Sequence, residues 1–166
     1  YNSTAGNLRV EGMVLAATWA AGGNLNVGRS IACLNAGTQT AGIAFGGYLG
    51  APGNTTSTET YNGSSWTNVT ALSTARRAGA GFGTQAAAAL GGGYGTSSST
   101  NATEEWGGSS WTGGGVMPSS FHNTSGCGTQ TAGLSNGSSE GPTQACKYDG
   151  TAWTAVSSLP SGRSQG

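Results

Sequence analysis

Tyr61-Asn-Gly-Ser-Ser-Trp66 returns as Trp106-Gly-Gly-Ser-Ser-Trp111 and again as Tyr148-Asp-Gly-Thr-Ala-Trp153. Outward from these stretches, Trp19, Trp66, Trp111 and Trp153 are spaced 47, 45 and 42 residues apart, and Gly-Thr-Gln recurs at 37–39, 83–85 and 128–130. Two unrelated markers that share one spacing define an internal repeat of ~45 residues, one structural unit copied along the chain. Arginine follows the same period at Arg29, Arg76 and Arg163, with Phe121 in the third copy, and Glu59 and Glu104 stand two residues before the aromatic that opens the marker.

Each copy reads as Arg, a run of small residues, Gly-Thr-Gln, an apolar run, glycines, a polar loop, then aromatic, turn and Trp. That order predicts four short strands per copy. The apolar run is Thr40 to Phe45 before Gly46-Gly47, Ala86 to Leu90 before Gly91-Gly92, and Thr131 to Leu134 before Asn136-Gly137. Taken alone, Ala86 to Ala89 favours helix. Its repeat partners carry Ile, Phe and a mid-run Gly, so a strand is expected there too. Asn62-Gly63 and Asp149-Gly150 predict tight hairpins, because Asn, Asp and Gly tolerate positive φ.

Gly, Ala, Ser and Thr fill 98 of the 166 positions, whereas Leu, Ile, Val and Phe fill only 20. Any core is therefore thin, aromatic and alanine-lined. Four short strands with glycine and aromatic markers fit the blade of a β-propeller, which hides its sheet edges by radial repetition. Small residues then belong on the inner strands, where blades converge, and tryptophan belongs further out. The boundaries that follow are a partial blade at 1–27, blades at 28–74, 75–119 and 120–161, and the first strand of another at 162–166.

With six basic and six acidic residues and a net charge of zero, the chain has no basic stripe for phosphates and no cationic face for anionic lipid, so neither nucleic-acid binding nor membrane insertion is expected. The longest apolar stretch, Met13 to Ala21, is far short of the ~20 residues of a membrane-spanning helix. Cys33, Cys127 and Cys146 are too few for a disulfide framework and lack the pairing of a zinc site; small buried thiols are expected, with a Cys127–Cys146 bridge as the alternative. His122 is the only histidine and Asp149 the only aspartate. A histidine relay or metal cluster would need more of either, so no catalytic residue, metal or cofactor is expected. Glu104 and Glu105, adjacent on a strand, point to opposite faces and cannot share a substrate; one is expected to be structural and the other solvated.

The order Arg, Gly-Gly, Tyr, Trp, with Tyr61 five residues before Trp66 and Tyr148 five before Trp153, resembles the kelch-repeat propellers over nearly the whole chain. Val14 and Trp106 replace the tyrosine and Phe121 replaces the arginine. Ala36 to Gly47 and Thr58 to Thr67 are similar, more narrowly, to kelch-like arrays of marine bacteriophage tail fibres and bacterial surface proteins. This resemblance implies a non-enzymatic structural or adhesion protein of a virion or extracellular surface, part of a larger polypeptide or a homo-oligomer. Its partners would be a host-surface glycan or protein, or other virion subunits. The alternatives are a carbohydrate-binding propeller of a bacterial surface protein and a fragment of an oxidase- or sialidase-type propeller.

Two sets of residues are candidates for contact with a ligand. Arg29, Arg76 and Arg163 either form a ring suited to carboxylates or each reach a Glu or a backbone carbonyl in a blade, because a buried guanidinium is costly unless paired. Tyr48 and Tyr94 stand at the bases of the loops Tyr48 to Ser57 and Tyr94 to Ala102, which vary in sequence while their flanks recur, as does Ser138 to Ala145. Variable loops on a regular scaffold are where recognition concentrates.

Overall fold

The computed structural model describes residues 21–51 and 53–163. Trp19, Val14 and most of the partial unit at 1–27 lie outside the described residues, as does the end of the unit beginning at 162. Among the described residues there are twelve strands and no helix. They form three sheets: β1 (Cys33–Thr38), β2 (Ala41–Phe45), β3 (Thr58–Tyr61) and β4 (Trp66–Val69); β5 (Ala80–Gly83), β6 (Ala88–Gly91), β7 (Thr103–Trp106) and β8 (Trp111–Gly113); and β9 (Ser125–Thr129), β10 (Ala132–Asn136), β11 (Ala145–Tyr148) and β12 (Trp153–Val156). Every sheet is an antiparallel meander whose spatial order is its chain order. The alanine run is strand, as the repeat implied: Ala88, Ala89 and Leu90 pair with Trp106, Glu105 and Glu104 of β7.

The sheets are stacked and meet most closely at their first strands, with β5 lying against β1 on one side and β9 on the other. Side-chain size follows this geometry. A Cβ on Gly126 of β9 would stand 2.7 Å from the Gly81 carbonyl oxygen of β5, so only glycine permits that approach. Further out the gaps are filled by aromatics. One cluster joins Ile43, Phe45, Leu72, Ala88, Leu90 and Trp106, with Trp111 packed against it; the next joins Phe82, Ala89, Met117, Phe121, Cys146, Tyr148 and Trp153. Ala88 and Leu90 thus face the first sheet and Ala89 the third. A strand buried on both faces needs no polar alternation, which is why β6 reads as a continuous apolar run.

The recurring Gln and Trp form the links between sheets. Gln85 Nε2 donates to the carbonyls of Gly42 (3.0 Å) and Tyr61 (2.7 Å) in the first sheet, and Gln130 Nε2 to those of Ala88 and Trp106, both at 2.9 Å, in the second. Trp111 Nε1 donates to Thr58 Oγ1 at 3.0 Å and Trp153 Nε1 to Thr103 Oγ1 at 2.8 Å, again in the preceding sheet. Gln130→Leu is expected to cost about 1–3 kcal/mol, the penalty for removing a shared donor from part-buried carbonyls. Urea denaturation followed by circular dichroism checks it, and an unmoved midpoint would show the contact to be idle.

The structure corrects four local expectations. In the second and third copies the glycine marker is Gly92-Gly93 and Gly137-Ser138, one residue later than the sequence reading, and Gly91 and Asn136 end their strands. The register is set by Gly46, Gly92 and Gly137, with φ of +61°, +66° and +60°, where a Cβ would stand 2.6, 2.7 and 2.2 Å from the carbonyl oxygens of Arg76, Phe121 and Arg163. Arg76 and Phe121 lie on the connections from the first sheet to the second and from the second to the third, so Gly46 and Gly92 admit the crossing segments. In the Asn62-Gly63 and Asp149-Gly150 pairs only the glycine adopts positive φ. Asn62 and Asp149 act through their side chains instead: Asn62 Oδ1 accepts from the Ser64 and Ser65 amides, and Asp149 Oδ1 from those of Thr151 and Ala152. All three cysteines are free, and Cys127 is exposed rather than buried. Burial pushes the Cys33 thiol up to about 11, leaving it unreactive at neutral pH. Finally, Glu105 is not simply solvated, because its Oε1 accepts the Tyr148 hydroxyl at 2.5 Å. Burial and that carboxylate push the tyrosine up to about 12.

Candidate functional site

Arg29 and Arg76 are almost fully buried in matching arrangements. Arg29 Nη2 donates to Glu59 Oε1 at 2.5 Å and its Nη1 to the carbonyls of Gly46 and Ser57; Arg76 Nη2 donates to Glu104 Oε1 at 2.8 Å and its Nη1 to those of Gly92 and Ala102. Each carboxylate also accepts backbone amides from the segment leading into its sheet, Asn26 and Val27 for Glu59 and Ser73 for Glu104. Burial lowers the Arg76 pKa while Glu104 opposes it. Both guanidinium groups thus face a Glu and carbonyls of their own sheet, the second of the two arrangements the sequence leaves open. Arg163 is exposed, and among the described residues its side chain bonds only to Ser161 and the Gly162 carbonyl. The structure does not bring the three arginines into one site.

In the third sheet, Phe121 occupies the arginine position, and the glutamate position is occupied by Cys146. Both pack in one apolar cluster. The ion pair has been exchanged as a unit, since either charge alone would be left buried without a partner.

Tyr48 and Tyr94 do come together, and the residue that joins them is Arg77, which the sequence reading did not single out. Its guanidinium carbon lies 4.8 Å from the centroid of each ring. Arg77 Nη1 donates to Asn54 Oδ1 at 2.8 Å, while Asn54 Nδ2 donates to the carbonyls of Tyr94 (2.8 Å) and Gly95 (2.7 Å). The asparagine is thereby held in one orientation. The backbone builds this arrangement through single bridges between sheet and loop: Tyr48 pairs with Ser30 and Asn54, and Tyr94 with Arg77 and Ser99. Tyr48, Asn54, Arg77 and Tyr94, with Gly53, Ala75, Gly95 and Thr96, line an open cleft of about 340 Å³ between the loops of the first two sheets.

The row continues into the third sheet. His122 lies edge-on to Tyr94, with ring centroids 5.2 Å apart. Its Nδ1 is 2.9 Å from Ser99 Oγ and 2.5 Å from Glu140 Oε1, Ser99 also donates to Glu140, and the His122 amide donates to Glu140 Oε2. Burial raises the Glu140 pKa, but the Ser99 and His122 hydrogen bonds outweigh it and hold the carboxyl below its ordinary value. Serine, histidine and glutamate suggest a relay, but hydroxyl and carboxylate meet the same ring nitrogen. A relay needs them on opposite nitrogens. The cluster instead ties the Ser99 loop to the Glu140 loop.

No family model matches the chain, and comparison with curated proteins brings out no relative. The geometry of the cleft is therefore the ground on which a function can be argued.

Proposed function

We propose that this chain is a set of blades from a kelch-like β-propeller and works without catalysis, as an adhesion or assembly module of an extracellular or virion surface. A bacteriophage tail fibre or similar appendage is the setting its repeats most resemble. The loop face around Tyr48, Arg77 and Tyr94 makes the contact. One observation carries this reading: loops of the first two sheets converge on a cleft lined by Tyr48 and Tyr94 together with Asn54, Arg77 and Thr96, on an otherwise regular, closely packed scaffold. Amphipathic rings of low conformational entropy beside adaptable polar loops are suited to binding sugars or protein surfaces. The large buried aromatics, by contrast, are taken up in contacts between sheets.

The test is binding of the 166-residue chain to an array of bacterial surface polysaccharides and to intact cells. Tyr48→Ala with Tyr94→Ala is expected to weaken binding about tenfold or more, the usual effect of removing aromatic anchors at the centre of an interface. Undiminished binding by a double variant with unchanged circular dichroism would refute this use of the face.

A further inference from the structure

We infer that the cleft is a carboxylate-binding subsite for an acidic sugar, with Arg77 as the group that reads the charge; this rests on the adhesive role proposed above. Among the described residues, Arg29 and Arg76 each have a glutamate at 2.5–2.8 Å, whereas Arg77, although half-buried, has no carboxylate partner. None of the residues lining its cleft is acidic. A cation in that position is normally compensated. Here the compensation falls to the ligand.

The side chain is also held in place before anything binds. Tyr48 and Tyr94 each hold the guanidinium over a ring, and Asn54 fixes it through Nη1. Within the protein, Nε and Nη2 have no hydrogen-bond acceptor among the described residues, so one fork of parallel donors remains for a planar carboxylate. A clamped arginine has already lost the rotamer freedom that a mobile one gives up on binding.

The single charge argues for a sugar acid rather than an acidic peptide. A run of carboxylates is recognised by several cations, and this cleft has one, with Glu140 beyond His122 to repel further negative charge. A uronic or sialic acid presents one carboxylate and several hydroxyls. Thr96 and the two tyrosines, which line the cleft, offer hydroxyls to pair with those of the sugar, and the volume lies near the lower end of small-ligand clefts, ~300–1,000 Å³.

The test titrates the 166-residue chain with oligosaccharides ending in glucuronate or N-acetylneuraminate, with the methyl esters of the same compounds, and with a Glu-rich peptide, at low and physiological salt. The acids are expected to bind at least about tenfold more tightly than their esters, as for loss of a charge-assisted pair. That preference should disappear in Arg77→Gln and shrink in Arg77→Lys, which keeps the charge and loses the fork. The acid–ester comparison on the unaltered chain needs no variant, so a misfolded Arg77→Gln cannot decide the matter. Equal binding of acid and ester, or binding of the peptide alone, overturns the inference. If acid and ester bind equally while the Tyr48/Tyr94 double variant still loses cell binding, the adhesive face stands and only its carboxylate specificity falls. If that variant keeps cell binding while the acids bind through Arg77, the adhesive role falls.

Discussion

Glu104→Ala is expected to destabilise the chain by about 3–5 kcal/mol, the cost of stranding a buried charge. Arg76 is shielded from solvent, its Nε already lacks a partner, and the Ser73 amide would also lose its acceptor. Against a total stability of about 5–15 kcal/mol for a domain, that loss brings the chain close to unfolding. The third sheet indicates the remedy. Arg76→Phe combined with Glu104→Cys reproduces the Phe121 and Cys146 arrangement and should recover most of what either single change removes, because replacing a buried ion pair with apolar residues is often neutral or favourable. Urea denaturation of the two single variants and the double variant measures the coupling. A double variant as unstable as the sum of the singles would mean that the sheets do not share this interchangeable position.

Trp153→Ala should cost a similar amount, about 3–5 kcal/mol, as for other large aromatics truncated in a core. The indole packs edge-on to Phe82, with centroids 5.8 Å apart, and against Tyr148 at 4.9 Å. Its Nε1 is the hydrogen-bond donor to Thr103, a buried residue. Trp153→Phe keeps most of the packing and strands only the hydroxyl, so a smaller loss of about 1–3 kcal/mol is expected. Thermal melts of both variants give the order. Equal losses would place the whole effect in the hydrogen bond rather than in the aromatic cluster.

The repeat made the all-β fold and its four-stranded antiparallel sheets legible because each recurring residue has a job that recurs with it. Trp reaches the threonine of the previous sheet, the Gln of Gly-Thr-Gln reaches two carbonyls there, and the glycines admit the crossing to the next sheet. The one-residue shift at Gly92-Gly93 was hidden by three consecutive glycines, since only the backbone shows which of them takes positive φ. The candidate site escaped for the opposite reason. Arg77 corresponds to Ser30 in the first copy and His122 in the third, so a search for shared positions passes over it. Tyr48 and Tyr94 stood out as loop bases, but nothing in their spacing shows that one guanidinium lies between them. Likewise, Phe121 looked like a lapse in the pattern until Cys146 was seen to have changed with it.

Gln85 and Trp111 of the second sheet and Gln130 and Trp153 of the third all donate backwards, to groups belonging to the sheet made before their own. Translation delivers those acceptors first. As each new unit leaves the ribosome, its anchoring donors meet a finished template upstream, so the assembly can grow by accretion in the direction of synthesis.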